Sequence, residues 1–263
     1  YYFNVNGNGS YNIGKAKRYF SQARTLNSDM PLVWYYSGRV DFVMGDRYDA
    51  LIKMNKQIAR SGDSFPPAYY MRGLINGFLG RFDEAESDFT AVLNMDSSGE
   101  RIWAVYNDLA WSQFSKGDYE EAEKSAQAGL THSDNNVWLL NSLGVALMGQ
   151  GRHKEATEVL TRADNAAQTL GEADFLRAYP GNDPHEGENR LFQFREVITF
   201  NKRVADYKGN LEATERKGPD ITFKFASLSP NGLKGGYIVS ACEYSQSSYY
   251  SQSSYYSQSS YYS

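Results

Sequence analysis

With a single cysteine, Cys242, in 263 residues, the chain cannot form an internal disulfide. That suits a reducing compartment, and it equally suits a secreted helical protein that needs no staples; the reading leans to the extracytoplasmic side. Histidine is almost as scarce. His132, His153 and His185 stand far apart, so no metal-ligand cluster is expected. A glycine-rich phosphate loop and a carboxylate pair in a pocket-like context are also missing, so neither a cofactor nor a catalytic role is expected. The net charge is only −4, which argues against a nucleic-acid binder held by phosphate contacts. No apolar run is long enough to span a bilayer. The chain opens on Tyr1-Tyr2-Phe3 without a methionine, as a processed or partial sequence does.

What is present is a repeat. A small residue, a glycine seven places on and an alanine five places further recur four times. They are Gly38–Gly45–Ala50, Gly73–Gly80–Ala85, Ala110–Gly117–Ala122 and Gly144–Gly151–Ala156. The alanines step by 35, 37 and 34 residues, and Ala16 lies 34 before the first. A period near 34 marks stacked helical hairpins, whose default use is a concave binding surface. In the unit from Val137, Leu140, Leu143, Gly144 and Leu147 fall at helical spacing. Gly151 then ends the helix, and Ala156, Leu160 and Ala163 form the buried line of the return helix. Gly144 and Ala156 are expected where the two helices cross, since a larger side chain would force the axes apart.

These positions resemble the tetratricopeptide repeat family. The resemblance is carried by Trp34, Gly38, Gly45 and Ala50; Tyr69, Gly73, Gly80, Phe82, Ala85 and Phe89; Leu109, Gly117, Tyr119 and Ala122; and Leu143, Gly144, Gly151, Ala156 and Ala163. It implies an all-α, right-handed superhelical solenoid. Four units occupy residues 31–163, after a partial first repeat over 1–30 in which Ala16, Phe20 and Ala23 are in phase. Ser37 and Arg72 stand where the family prefers leucine, and Ser97 and Asp134 where it usually has proline.

The resemblance also implies which positions face the groove. They are Tyr35, Arg39 and Phe42; Tyr70, Leu74 and Gly77; Asn107, Trp111 and Phe114; and Asn141, Val145 and Met148. The set is aromatic and apolar with a few amides, and Arg39 is its one cation. It suits an extended peptide or a neighbouring subunit better than a clamp for a terminal carboxylate. The other reading is that Tyr35, Tyr70 and Trp111 pack between hairpins. Binding predicts that Trp111→Ala loses a ligand without unfolding.

Beyond Ala163 the period fades. Residues 164–206 read as capping helices over Glu172–Tyr179 and Glu188–Ala205, parted by the turn signal Tyr179-Pro180-Gly181-Asn182-Asp183-Pro184. Residues 207–243 read as a short β-like segment built on Ile221–Phe225 and Tyr237–Val239. Within it, Ile238-Val239-Ser240-Ala241-Cys242-Glu243 resembles the nucleophile stretch of caspase-like CHAT domains. That resemblance implies Cys242 as nucleophile and His185 as its base; the residues by themselves read Cys242 as a small hydrophobe closing a strand. Residues 244–263 repeat Tyr-Ser-Gln-Ser-Ser-Tyr, a low-complexity tail able to pair as strands and to carry glycans on serine. The function expected is a non-catalytic interaction scaffold that binds a protein or peptide segment, within a homo-oligomeric or fibrillar assembly. A monomeric peptide adaptor and the sensor part of a cysteine protease are the alternatives.

Overall fold

The computed structural model describes residues 11–95, 99, 101–178 and 187–213. The β-like segment from residue 214 onward, the hexamer tail, His185 and Cys242 lie outside the described residues, as does the start of the partial first repeat.

Eleven α-helices are found among the described residues. The first is α1 (Ile13–Leu26). Four hairpins follow: α2 (Val33–Met44) with α3 (Arg47–Ser61), α4 (Pro66–Phe78) with α5 (Phe82–Met95), α6 (Ile102–Lys116) with α7 (Tyr119–His132), and α8 (Val137–Gly149) with α9 (His153–Thr169). Then come α10 (Glu172–Ala178) and α11 (Gly187–Ala213). Each hairpin packs its two helices together and lays the second against the first helix of the next, which makes a solenoid.

Local signals set the helix ends. Asn12 caps α1 by accepting from the Lys15 amide at 2.8 Å, and Asn136 caps α8 by accepting from the Trp138 and Leu139 amides. Pro66 opens α4, where its missing N–H costs nothing. The turn inside every hairpin repeats one geometry. At Gly117 (φ 88°) the glycine N–H donates to the Phe114 carbonyl at 3.0 Å, and the next amide, of Asp118, donates to the Gln113 carbonyl at 2.9 Å. Gly45, Gly80 and Gly151 make the same pair of bonds. A side chain at positive φ is strained. Gly117→Ala should therefore destabilise the fold by about 1 kcal/mol in urea unfolding, with no change in helical content before the transition.

The hairpins cross as the small residues require. A Cβ built on Gly38 would lie 2.5 Å from Met54 Cε, one on Gly73 2.7 Å from Phe89 Cε1, and one on Gly144 2.4 Å from Leu160 Cγ. In each unit the intruding side chain is four residues after the repeat alanine. The third unit has Ala110 in place of glycine, and its residue four past Ala122 is Ala126; both are fully buried. A methyl added on one helix is matched by a side chain shortened on the other, which keeps the interior filled.

The two departures from leucine are polar pairs. Arg24 of α1 donates to Ser37 Oγ at 2.8 Å. Arg72 forks onto buried Asp88, with Nε 2.9 Å from Oδ2 and Nη2 2.6 Å from Oδ1, and Asn76 adds a longer bond to the same carboxylate.

Two helices outrun their expected ends. The limit at residue 163 falls inside α9, because Ala163 and Ala167 stay buried and Arg195 of α11 donates to the Ala167 carbonyl at 2.9 Å. The limit at 206 falls inside α11. Ile198, Asn201 and Ala205 continue one buried stripe, and Gly209 meets His153 of α9 at 3.7 Å from a would-be Cβ. The β-like segment therefore does not begin at residue 207.

Candidate functional site

The first helices of the hairpins share one side of the stack, and the predicted groove residues divide there into two groups. Tyr35, Arg39, Phe42, Tyr70 and Leu74 line an open, mostly apolar cavity of about 420 Å³. The structure brings α2 and α4 together with a wall that the sequence pattern does not reveal. Arg101, Ile102, Ala104 and Val105 at the start of α6 form part of it, and Ala178 at the end of α10 closes it. Pro66 and Pro67 at the start of α4 form the rim.

The cavity has a defined polar frame. Tyr70 Oη donates to Asp108 Oδ2 at 2.6 Å, which ties α4 to α6 beside the cavity. Burial raises the Tyr35 phenol above its ordinary pKa, against the opposing pull of Arg39 and Arg101. It is therefore neutral across the physiological range. The Arg39 guanidinium lies 5.5 Å from the Tyr35 ring centre. Arg101 donates to the last two carbonyls of α10, Arg177 at 2.5 Å and Ala178 at 3.3 Å, so α10 is tied across to α6. No carboxylate is among the described lining residues. Arg39 and Arg101 are the charged side chains among those described lining residues.

The second group is not on this surface. Asn107, Trp111, Phe114, Asn141, Val145 and Met148 are all buried. The Trp111 ring fills the space left by Gly77, whose would-be Cβ lies 2.4 Å from Trp111 Cζ3, and it packs on Phe78 and edge-on against Phe82. Phe114 packs on Tyr119. The amides pair internally: Ser142 Oγ donates to Asn107 Oδ1 at 2.7 Å, and Asn201 of α11 donates to Asn141 Oδ1 at 2.9 Å. Val145 and Met148 join a core with Val204 and Ala205 of α11. A signal for this was in the sequence. Val137–Met148 is apolar or small at every place but Asn141 and Ser142, and a helix apolar all round is an interior helix. The register puts these positions toward the groove; α11 and a neighbouring indole fill it.

Among the described residues no group of three or more His, Cys, Asp or Glu could hold a metal, and no helix is long and apolar enough to cross a membrane.

Two family profiles, each described as tetratricopeptide repeat, match residues 70–137 and 113–178. Among solved structures, the crystal structure of MamA superposes with a TM-score of 0.54 at 17% identity, over 59% of this chain and 89% of that one. A thermophilic TPR protein of Thermus thermophilus gives 0.50 at 18% identity, over 63% of this chain and 88% of that one. A chain of the APC/C hetero-tetramer Cut9–Hcn1 gives 0.54 at 15% identity, over 77% of this chain but 37% of its own length. No curated protein sequence matches the chain.

Proposed function

Because this chain is a tetratricopeptide repeat protein, a solenoid of a kind that binds other proteins, we propose that it is a non-catalytic scaffold whose docking site is the cavity framed by α2, α4, α6 and the end of α10. The observation that carries the reading is that cavity: about 420 Å³ of mostly apolar space, open to solvent, on the side formed by the first helices. Its volume admits one or two large apolar side chains of an extended segment. Tyr35 and Tyr70 supply broad contact at low entropy cost, and Arg39 and Arg101 favour an acidic residue beside the apolar anchors. The docked segment belongs to another protein or to a neighbouring copy. The reading places the chain in a larger assembly.

Peptides selected from a random extended library on the full chain provide the test. Val43→Arg puts a third cation on the cavity wall at a half-buried position. It should weaken those peptides by at least about tenfold in fluorescence polarisation, while the far-ultraviolet circular dichroism stays that of the parent. Peptides that bind parent and variant equally well would place docking elsewhere.

A further inference from the structure

The formal charge of −4 is an average over unlike parts. Residues 1–61 hold nine Lys or Arg against four Asp or Glu, whereas residues 62–178 hold nine against eighteen. Three of those four acids are already engaged, Asp29 by Arg60, Asp41 by Lys53 and Asp46 by Lys17. The large exposed hydrophobics divide along the same line. Tyr19, Leu26, Met30, Met44, Tyr48 and Ile52 lie on or beside α1 and α3, and no described residue of α4 to α10 joins them.

The fold gathers these side chains on one surface. Lys17, near the start of α1, reaches Asp46 at the start of α3 at 2.6 Å, and Arg60 at the end of α3 donates to the Ser28 carbonyl just past α1 at 2.9 Å. The two helices therefore run alongside each other in the same direction over α2. The Trp34 ring of α2 lies between them, with Lys56 Nζ 4.5 Å and the Arg24 guanidinium 5.2 Å from its centre. Lys15, Arg18, Tyr19 and Leu26 follow at helical spacing on the exposed face of α1, and Tyr48, Ile52, Lys56 and Arg60 at every fourth place on that of α3. Burial, then the nearby Arg24, Lys17 and Lys56, lower the Lys53 amine to about 8, a sign of how closely the cations crowd.

We propose that the paired faces of α1 and α3 dock on an anionic lipid surface. Cations set among exposed aromatic and aliphatic side chains suit its headgroup layer: the cations stay level with the lipid phosphates while the apolar tips enter. An acidic protein segment would meet the cations but offers little to Leu26, Tyr48 and Ile52. Beyond α3 the sign reverses. Helix α5 opens with exposed Asp83 and Glu84, so one end of the solenoid alone meets the surface. The proposal goes beyond the docking role of the cavity and does not depend on it.

Flotation of the full chain with vesicles tests it, using phosphatidylcholine alone or equal parts of phosphatidylcholine and phosphatidylserine, at low and at high salt. The parent should float with the anionic vesicles only, and should leave them as salt rises. Tyr48→Ser with Ile52→Ser removes two apolar tips, and Arg18→Gln with Lys56→Gln removes two cations. Each double variant should need at least about tenfold more lipid for half binding. All four sites are exposed, so helicity should be kept. If a double variant unfolds, Ile52→Ser or Arg18→Gln alone serves, with a loss of about threefold. Peptides selected on the cavity should bind both double variants as they bind the parent, so loss of lipid is distinguishable from loss of the docking site. A parent that ignores anionic vesicles overturns the proposal, as does equal flotation with neutral ones or double variants that float like the parent. So does binding that removal of residues 244–263 abolishes while both double variants keep it. Capture of poly-glutamate by a parent that leaves the vesicles unbound also overturns it, and would assign the face to an acidic protein.

Discussion

Trp111→Ala should destabilise the protein by about 4 kcal/mol, seen as a lower urea midpoint for the whole helical transition. The indole is 2% exposed and is clasped by Phe78 and Phe82 from the preceding hairpin. It also fills the slot over Gly77, where its ring atoms are the nearest neighbours of a would-be Cβ. Truncation removes the transfer energy of a large aromatic and leaves a cavity that these stiff neighbours cannot close. In a stack where each hairpin touches only its neighbours, this contact is one of the terms that couple the second unit to the third. The transition should therefore broaden as well as shift. Trp111→Phe keeps a ring in the slot and should lose markedly less. Read as a groove residue, Trp111 would give up a ligand and leave stability alone. An unchanged midpoint in Trp111→Ala would mean that the indole does not hold the two hairpins together.

Gly144→Val should cost about 3 kcal/mol, although intrinsic helix propensity alone changes little between the two residues. The would-be Cβ lies 2.4 Å from Leu160 Cγ and 2.6 Å from Leu160 Cδ2, well inside contact distance. Leu160 is fully buried between α8, α9 and their neighbours, so it has no free rotamer to take. Either the helix axes separate or the leucine is forced off its well. The third unit already shows the remedy, with Ala110 matched by Ala126. Leu160→Ala in the Gly144→Val background should therefore recover part of the loss. The double variant should be more stable than the sum of the single changes allows, by at least about 1 kcal/mol in a denaturation cycle. Strict additivity would show that the two positions do not share the crossing.

Much of the fold was legible because its determinants are local and recur. The turn glycines, the small residues at the crossings and the apolar spacing each act within one hairpin, and four copies of each make the pattern certain. The polar exceptions were visible without their reasons. Arg72 in a leucine place acquires meaning only beside Asp88, sixteen residues away on the facing helix. The candidate site was half legible. Tyr35, Arg39, Phe42, Tyr70 and Leu74 come from two adjacent units in good register, and they do meet on one cavity. Arg101 and Ala178 could not be found from the repeat, because one precedes its helix and the other lies on an insertion outside the period.

The amino-acid order by itself determined the hairpins: where each helix turns, which residues must be tiny, and which stripe is apolar. Those follow from backbone sterics and the 3.6-residue period, and need nothing beyond the next helix. Only the tertiary arrangement decided which part of the inner side stays open. That depends on α11 reaching across to α8 and α9 and on one indole entering the space above Gly77. Burial is a property of what packs from a distance, so identical register positions become cavity wall in one half of the stack and core in the other.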